Sequence, residues 1–153
     1  MNNSSTNFPD SNYEVVKLPL NMGNRELFPD GRLAIYKHKK ELKSCAQFYF
    51  EKKFHGPPQH VHGGAQAYIL DEIMGSTGWM HGFSVVAKSI NVEFLKPTPI
   101  ETQLFGYGEV SKEEHPILHI NAKICDNNGV EYSRSQGIFR ILTQDKLGDF
   151  LPK

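Results

Sequence analysis

The stretch from Gly56 to Gly75 constrains this chain more than any other. It opens on residues hostile to helix and runs into the one convincing helix. Pro57 and Pro58 favour extended or turn backbone. Gly63 and Gly64 carry no Cβ, so a ligand can approach their backbone closely. Ala65 to Met74 is then apolar almost all round, and a helix of that kind is normally buried. Asp71 and Glu72 lie in the middle of it. An unpaired carboxylate costs several kcal/mol to bury, or it keeps its proton. A carboxylate held there is either paired or used.

Composition narrows the setting. A chain of 153 residues forms one domain with a sizeable core. Lys plus Arg and Asp plus Glu both number 17, so no global charge steers the chain to nucleic acid or to an anionic membrane. The two cysteines, Cys45 and Cys125, lie far apart in strand-like contexts and read as buried free thiols in a reducing compartment. The start, Met1 to Asn7, lacks the basic and apolar regions of a signal peptide, and no apolar run approaches a membrane span. The expected setting is cytoplasmic, with no nucleic-acid or membrane partner.

The element order follows from period and punctuation. Residues 1–12 are polar and expected to be disordered; residues 13–30 read as an extension packed on the domain with one helical turn. A strand runs from Leu33 to Lys40, and a second from Lys43 to Lys53 has Ala46, Phe48 and Phe50 on one face. The helix covers 64–81. Four strands follow: 85–95, closed by Lys96-Pro97-Thr98-Pro99, then 101–111, 116–125 and 130–142. Asp126-Asn127-Asn128-Gly129 is the turn between the last two. The predicted organisation is an extension over 1–30, a domain over 31–142 and a frayed tail over 143–153. A mostly antiparallel sheet must cover its apolar face, and the helix cannot meet water on every side. The economical α+β answer is a curved sheet wrapped around one long central helix and closed by a partner subunit.

This layout and these residues resemble the hotdog-fold acyl-CoA thioesterases, in the phenylacetate-pathway (PaaI-like) branch, over about residues 31–142. The marks are the Gly-Pro-Pro lead-in, His62-Gly63-Gly64, an acid nine positions after the histidine (Asp71), the Phe94 to Pro99 segment and the Asp126 to Gly129 hairpin. The resemblance implies an enzyme hydrolysing an acyl-CoA or aryl-CoA thioester, without cofactor or metal, as a homodimer or homotetramer. It assigns the carbonyl-polarising amide to the second glycine, Gly64.

The residue chemistry agrees. Free amides at a helix N-terminus suit a developing oxyanion, and Gly64 and Gly63 can offer them. Asp71 suits the attack, as general base toward water or as nucleophile. It lies seven residues beyond Gly64, about 10 Å along the axis, so a shared site is expected: Gly64 from one chain, Asp71 from the other. The bland role for Asp71 is a carboxylate paired with a buried cation or hydroxyl. His62 either orients the loop or binds the thioester carbonyl. Ser76 and Thr77 either hydrogen-bond a water or the Asp71 carboxylate, or cap the helix surface. Several relatives carry an amide six residues before the histidine, where this chain has Gly56; Gln59 either substitutes or the amide is absent. His55, His60 and His62 lack a third spaced ligand or a cysteine that would complete a metal site. The competing functions are a hotdog hydratase or dehydratase, whose His-Phe-Pro-Gly type segment is missing, and a non-catalytic acyl-CoA-binding protein.

Overall fold

Alternation in the C-terminal strands decides which side of the sheet is core. In strand β6 (Ile117–Cys125), Leu118, Ile120, Ala122 and Ile124 are buried, while Ile117, His119, Asn121 and Lys123 point the other way. Strand β7 (Glu131–Ile141) repeats this with Ser133, Ser135, Gly137 and Phe139 inward. The computed structural model describes residues 7–16, 27–28 and 32–149. Seven strands form one antiparallel sheet in the order β1-β2-β3-β5-β6-β7-β4, with β1 at Tyr13–Glu14, β2 at Leu33–His38, β3 at Lys43–Tyr49, β4 at Val85–Phe94 and β5 at Gln103–Glu114. Helix α1 (Gly63–Met80) lies across the inward face. This is the hotdog fold.

The helix can be apolar all round because it is gripped. Ile69, Leu70, Ile73 and Met74 are fully buried among Phe48, Leu104, Ile120 and Phe139. The strands opposite carry small residues where the helix comes closest. A Cβ at Gly106 would run into Ile73 Cδ1, one at Gly108 into Thr77 Oγ1, and one at Gly137 would stand 2.9 Å from Met74 Sδ. Thr77 Oγ1 donates to the Ile73 carbonyl at 2.6 Å and shares a 2.7 Å hydrogen bond with Ser44 Oγ, so these two buried hydroxyls are satisfied.

Three expectations need correction. The strand expected over 43–53 stops at Tyr49, and a 3₁₀ turn (Lys52–Phe54) takes over the expected end, with Phe54 N–H donating to the Glu51 carbonyl. The tail is not simply frayed; Gln144–Leu147 form helix α2. The start is not wholly disordered. From residue 7 it runs over the outward face: Phe8 packs on Phe105 with ring centroids 4.8 Å apart, and on Tyr36. Lys39 Nζ donates to the Ser11 carbonyl, and Tyr13 pairs with His38. A lone aromatic in a polar stretch gave no periodic signal, yet its ring finds an apolar seat. The helical turn expected within 13–30 falls largely on residues outside those described; Tyr13–Glu14 form strand β1.

The Asp126 turn forms as its residues dictate. Asp126 Oδ1 accepts from the Asn128 and Val130 N–H groups, and Gly129 takes φ +79°. Among the described residues no helix is long and apolar enough to cross a membrane.

If the glycine seam sets the helix height, Gly106→Ala should lower unfolding free energy by about 1–3 kcal/mol. Urea unfolding of both chains tests this; an unchanged midpoint would show that Ile73 and Phe48 yield freely.

Candidate active site

The site is built where the Gly-Pro-Pro loop turns into α1. His62 is the N-cap, with extended backbone (φ −60°, ψ 138°). Its own N–H donates to the Phe54 carbonyl, and its Nδ1 accepts from the Gly64 N–H at 2.9 Å. Here an imidazole nitrogen does what a Ser or Asp oxygen usually does at a helix start. The Ala65 and Gln66 N–H groups both donate to the His62 carbonyl. Of the first four helix amides, the Gly63 N–H has no hydrogen-bond partner among the described residues. The Gly64 N–H, expected to stand free, is held by His62 Nδ1, and Gly63 presents the open donor.

Two interactions that sequence reasoning missed hold this loop. Gln66, buried in the first turns, donates through Nε2 to the Val61 carbonyl and accepts at Oε1 from Thr98 Oγ1 at 2.8 Å. The Val61 N–H donates to the Thr98 carbonyl. Thr98, flanked by Pro97 and Pro99, thus ties the segment after β4 to the start of α1. The Phe94 ring lies over Gly63, 3.2 Å from where a Cβ would be. A threonine between two prolines is a visible signal; its buried glutamine partner on a helix is not.

Asp71 sits farther up α1. At about 100° per residue it falls roughly 60° beyond Met74, on the flank of the helix nearest β4. It is half-buried, and among the described residues it has neither ion pair nor hydrogen bond. Burial raises its carboxyl pKa above the ordinary range. The paired-carboxylate role has no support here. Glu72, about 100° farther round and turned away from the sheet, is pushed up to about 7 by burial and by the Asp71 charge.

Several sequence candidates lie elsewhere. Thr77 is fully buried in the seam with Ser44 and faces neither Asp71 nor solvent. Ser76 is buried, five residues past Asp71 and so on another side of the helix. Gln59 adopts φ +63° and lines a cleft of about 540 Å³ with Lys52, His55, His60 and Glu101; no contact brings it to the Gly63 amide. Of the other side chains on α1, Met74 is core, Tyr68 stacks on Phe28, and Trp79 Nε1 donates to the Val85 carbonyl. Arg134 is ion-paired with Glu93 at 2.8 Å on the outward sheet face, in a second cleft of about 520 Å³ remote from the loop. Among the described residues no group of three His, Cys, Asp or Glu could hold a metal ion.

The fold and this loop define the class: a hotdog domain with an open helix-start amide and an unpaired acid on the same helix. Residues 58–133 match the family model described as Thioesterase superfamily. Human acyl-coenzyme A thioesterase THEM5 is 29% identical over 101 residues, which cover 65% of this chain and 40% of that protein. This chain thus spans less than half the length of that curated relative. A hypothetical thioesterase from Streptococcus pneumoniae TIGR4, solved with coenzyme A, superposes with a TM-score of 0.69 at 16% identity, covering 75% of this chain and 92% of that one. The E. coli PaaI protein of the phenylacetic acid degradation operon gives 0.66 at 15% identity, covering 72% and 80%.

The adjoining carboxylates make a pH prediction. With its pKa raised to about 7, Glu72 holds a proton in the folded chain that the unfolded chain releases near 4.5. That contribution to stability is complete below the unfolded value and is lost as pH rises through the folded one. Glu72→Gln should therefore melt roughly 2–6 °C above the parent at about pH 8.5 and level with it at about pH 4. Thermal melts at the two pH values check this; an equal difference at both would remove the titration from the account.

Proposed function

We propose that this domain hydrolyses acyl-CoA thioesters, with Asp71 supplying the attack and the Gly63 amide receiving the carbonyl oxygen. One observation carries the proposal: a half-buried carboxylate without a partner stands on a helix whose first amide is open. An acid that costs energy to bury and satisfies nothing structural is kept for use. The name of the human relative and the coenzyme A bound by the pneumococcal neighbour support the substrate class.

The chemistry needs no cofactor. The thioester oxygen accepts from Gly63 N–H at the positive end of α1, where negative charge is favoured as the carbonyl becomes tetrahedral. Asp71 acts in one of two ways. It takes a proton from water, whose oxygen adds to the carbonyl carbon; or its own oxygen adds, giving a mixed anhydride that water opens. In both, the carbon–sulfur bond breaks, the thiolate of CoA leaves and takes up a proton, and the acid is freed. The raised pKa of Asp71 strengthens it as a base and moves the acid limb of the rate above the ordinary carboxylate range.

A second copy completes the site in this reading. Asp71 is eight residues from Gly63, about 12 Å along the axis, too far to serve a carbonyl held at its own helix start. Strand β4 is an edge strand with one partner, β7, and its free edge carries Ile90, Phe94 and Leu95 at 37%, 54% and 41% exposure. Phe94 covers Gly63, so this apolar edge adjoins the open amide. Burying that surface against a second copy would bring the partner's helix flank, with its acid, to the amide. The two free buried cysteines suit the cytoplasm or another reducing compartment.

Asp71→Asn should lower kcat at least 100-fold on whichever CoA thioester of a short-chain, long-chain and aryl panel the parent cleaves, with an unchanged circular dichroism spectrum. Full activity in a folded Asp71→Asn chain would make the acid structural; a parent that binds CoA compounds and cleaves none would be a binding protein.

Gly63→Pro removes one N–H at the first helical position, where proline is tolerated, and His62 already has the extended backbone that proline asks of its neighbour. It should lower kcat about 10²–10³-fold. Mixing Asp71→Asn with Gly63→Pro chains then tests the shared site. Hybrids recover one intact site, so a random mixture should regain about a quarter of parental activity; none returns if each chain works alone.

A further inference from the structure

The loop before α1 holds three histidines, and their hydrogen bonds sort them. His55 Nδ1 lies 2.9 Å from the Lys52 carbonyl oxygen, and His60 Nδ1 lies 2.8 Å from that of Pro58. A carbonyl only accepts, so these two neutral rings carry their proton on Nδ1 and leave a lone pair on Nε2. His62 is the reverse. Its Nδ1 faces the Gly64 N–H at 2.9 Å, and a backbone N–H only donates. Nδ1 therefore holds the lone pair, and the proton of the neutral ring sits on Nε2.

The ring is also fixed in place. The His62 N–H is tied to the Phe54 carbonyl, and the side chain is pinned to Gly64. Gly56 lies directly against it: a Cβ there would stand 2.9 Å from His62 Cα and 3.2 Å from ring atom Cδ2, the neighbour of Nε2. On the other side a Cβ at Gly64 would stand 3.1 Å from Nδ1. Two glycines thus leave the imidazole a slot that any larger residue would narrow. The residue is exposed, and among the described residues Nε2 has no partner. The result is an oriented N–H donor on the residue next to the open Gly63 amide.

We propose that His62 Nε2–H is the second donor of the carbonyl site, acting with Gly63 N–H on the thioester oxygen, and that His62 takes no proton from water. The inference rests on the thioesterase reading. A neutral imidazole suits this role, because it donates without carrying a charge that would have to be desolvated when substrate closes the site. Its Nε2 lone pair is absent in this tautomer, so the base role falls to Asp71. No bond to His62 forms or breaks; the hydrogen bond strengthens as charge builds on oxygen.

Two substitutions separate the donor from a plain helix cap. Asn places an acceptor where Nδ1 stood and nothing where Nε2 stood; Gln does the opposite. The donor role predicts that His62→Asn keeps the melting temperature within a few degrees and loses about 10–100-fold in kcat with little change in KM. His62→Gln should melt lower yet retain the larger share of kcat. A cap alone predicts the reverse order, and full kcat in His62→Asn overturns the proposal. Imidazole nitrogen NMR on the folded parent, at a pH where the rings are neutral and with the His62 signals assigned by their loss in His62→Asn, gives a readout independent of turnover. Nε2 should be protonated and Nδ1 bare in His62, and the opposite in His55 and His60; a bare Nε2 in His62 also overturns the proposal. A parent inert on every CoA thioester removes the thioesterase reading and the donor role with it, while the NMR still reports which tautomer the loop selects.

Discussion

The close seating of α1 on the sheet is the constraint from which the other features follow. The helix is apolar on nearly every side, and it stays in one register because glycines on β5 and β7 admit Ile73, Thr77 and Met74 to near contact with the strands. Interiors are packed at crystal-like density, so a helix seated this way neither rotates nor slides without opening voids. Its rotation fixes the flank on which Asp71 emerges. Its height fixes where the first amides meet the loop from β3. A binding site needs this kind of scaffold, since a small misplacement of a reacting group is costly.

Charge and hydrogen bonding are then arranged around the helix start. Four amides there need acceptors, and the chain supplies them for three: His62 Nδ1 for Gly64 and the His62 carbonyl for Ala65 and Gln66. The fourth is left open beneath an exposed aromatic ring. A helix N-terminus with an unspent donor and its positive dipole end is an anion receptor in waiting. Farther along, two carboxylates on consecutive residues repel each other as burial raises both. That combination is expensive for stability, and carboxylates perturbed in this way are enriched at functional sites.

Much of this was legible in the chain. Alternation in the strand begun at Lys43 put Ala46, Phe48 and Phe50 on the buried face, and the run after Gly63 gave the helix to within a residue. Asp71 stood out because carboxylates are rare in such runs. Other features were not legible, for identifiable reasons. Thr77 looked like a site residue because helical spacing from Asp71 is ambiguous by one step; contact with Ser44 put it in the seam. Phe8 looked solvent-exposed because nothing in its neighbours predicts the Phe105 and Tyr36 rings it meets. The Gln66–Thr98 hydrogen bond spans 32 residues, and no local pattern encodes such a distance.

The sequence by itself determined the type and order of α1 and of the strands between Leu33 and Ile141, the burial of α1 and the presence of an acid inside it. Those follow from periodicity, steric limits on backbone and the cost of burying charge, all of which act over a few residues. Tertiary structure decided which glycine amide is free. His62, Gly63 and Gly64 are consecutive, but the choice depends on a side-chain torsion, and that torsion is set by Gly56, by the Phe54 carbonyl and by the start of the helix together. A ring held between Gly56 and the helix start has no signature in spacing. It exists once the chain has folded around it.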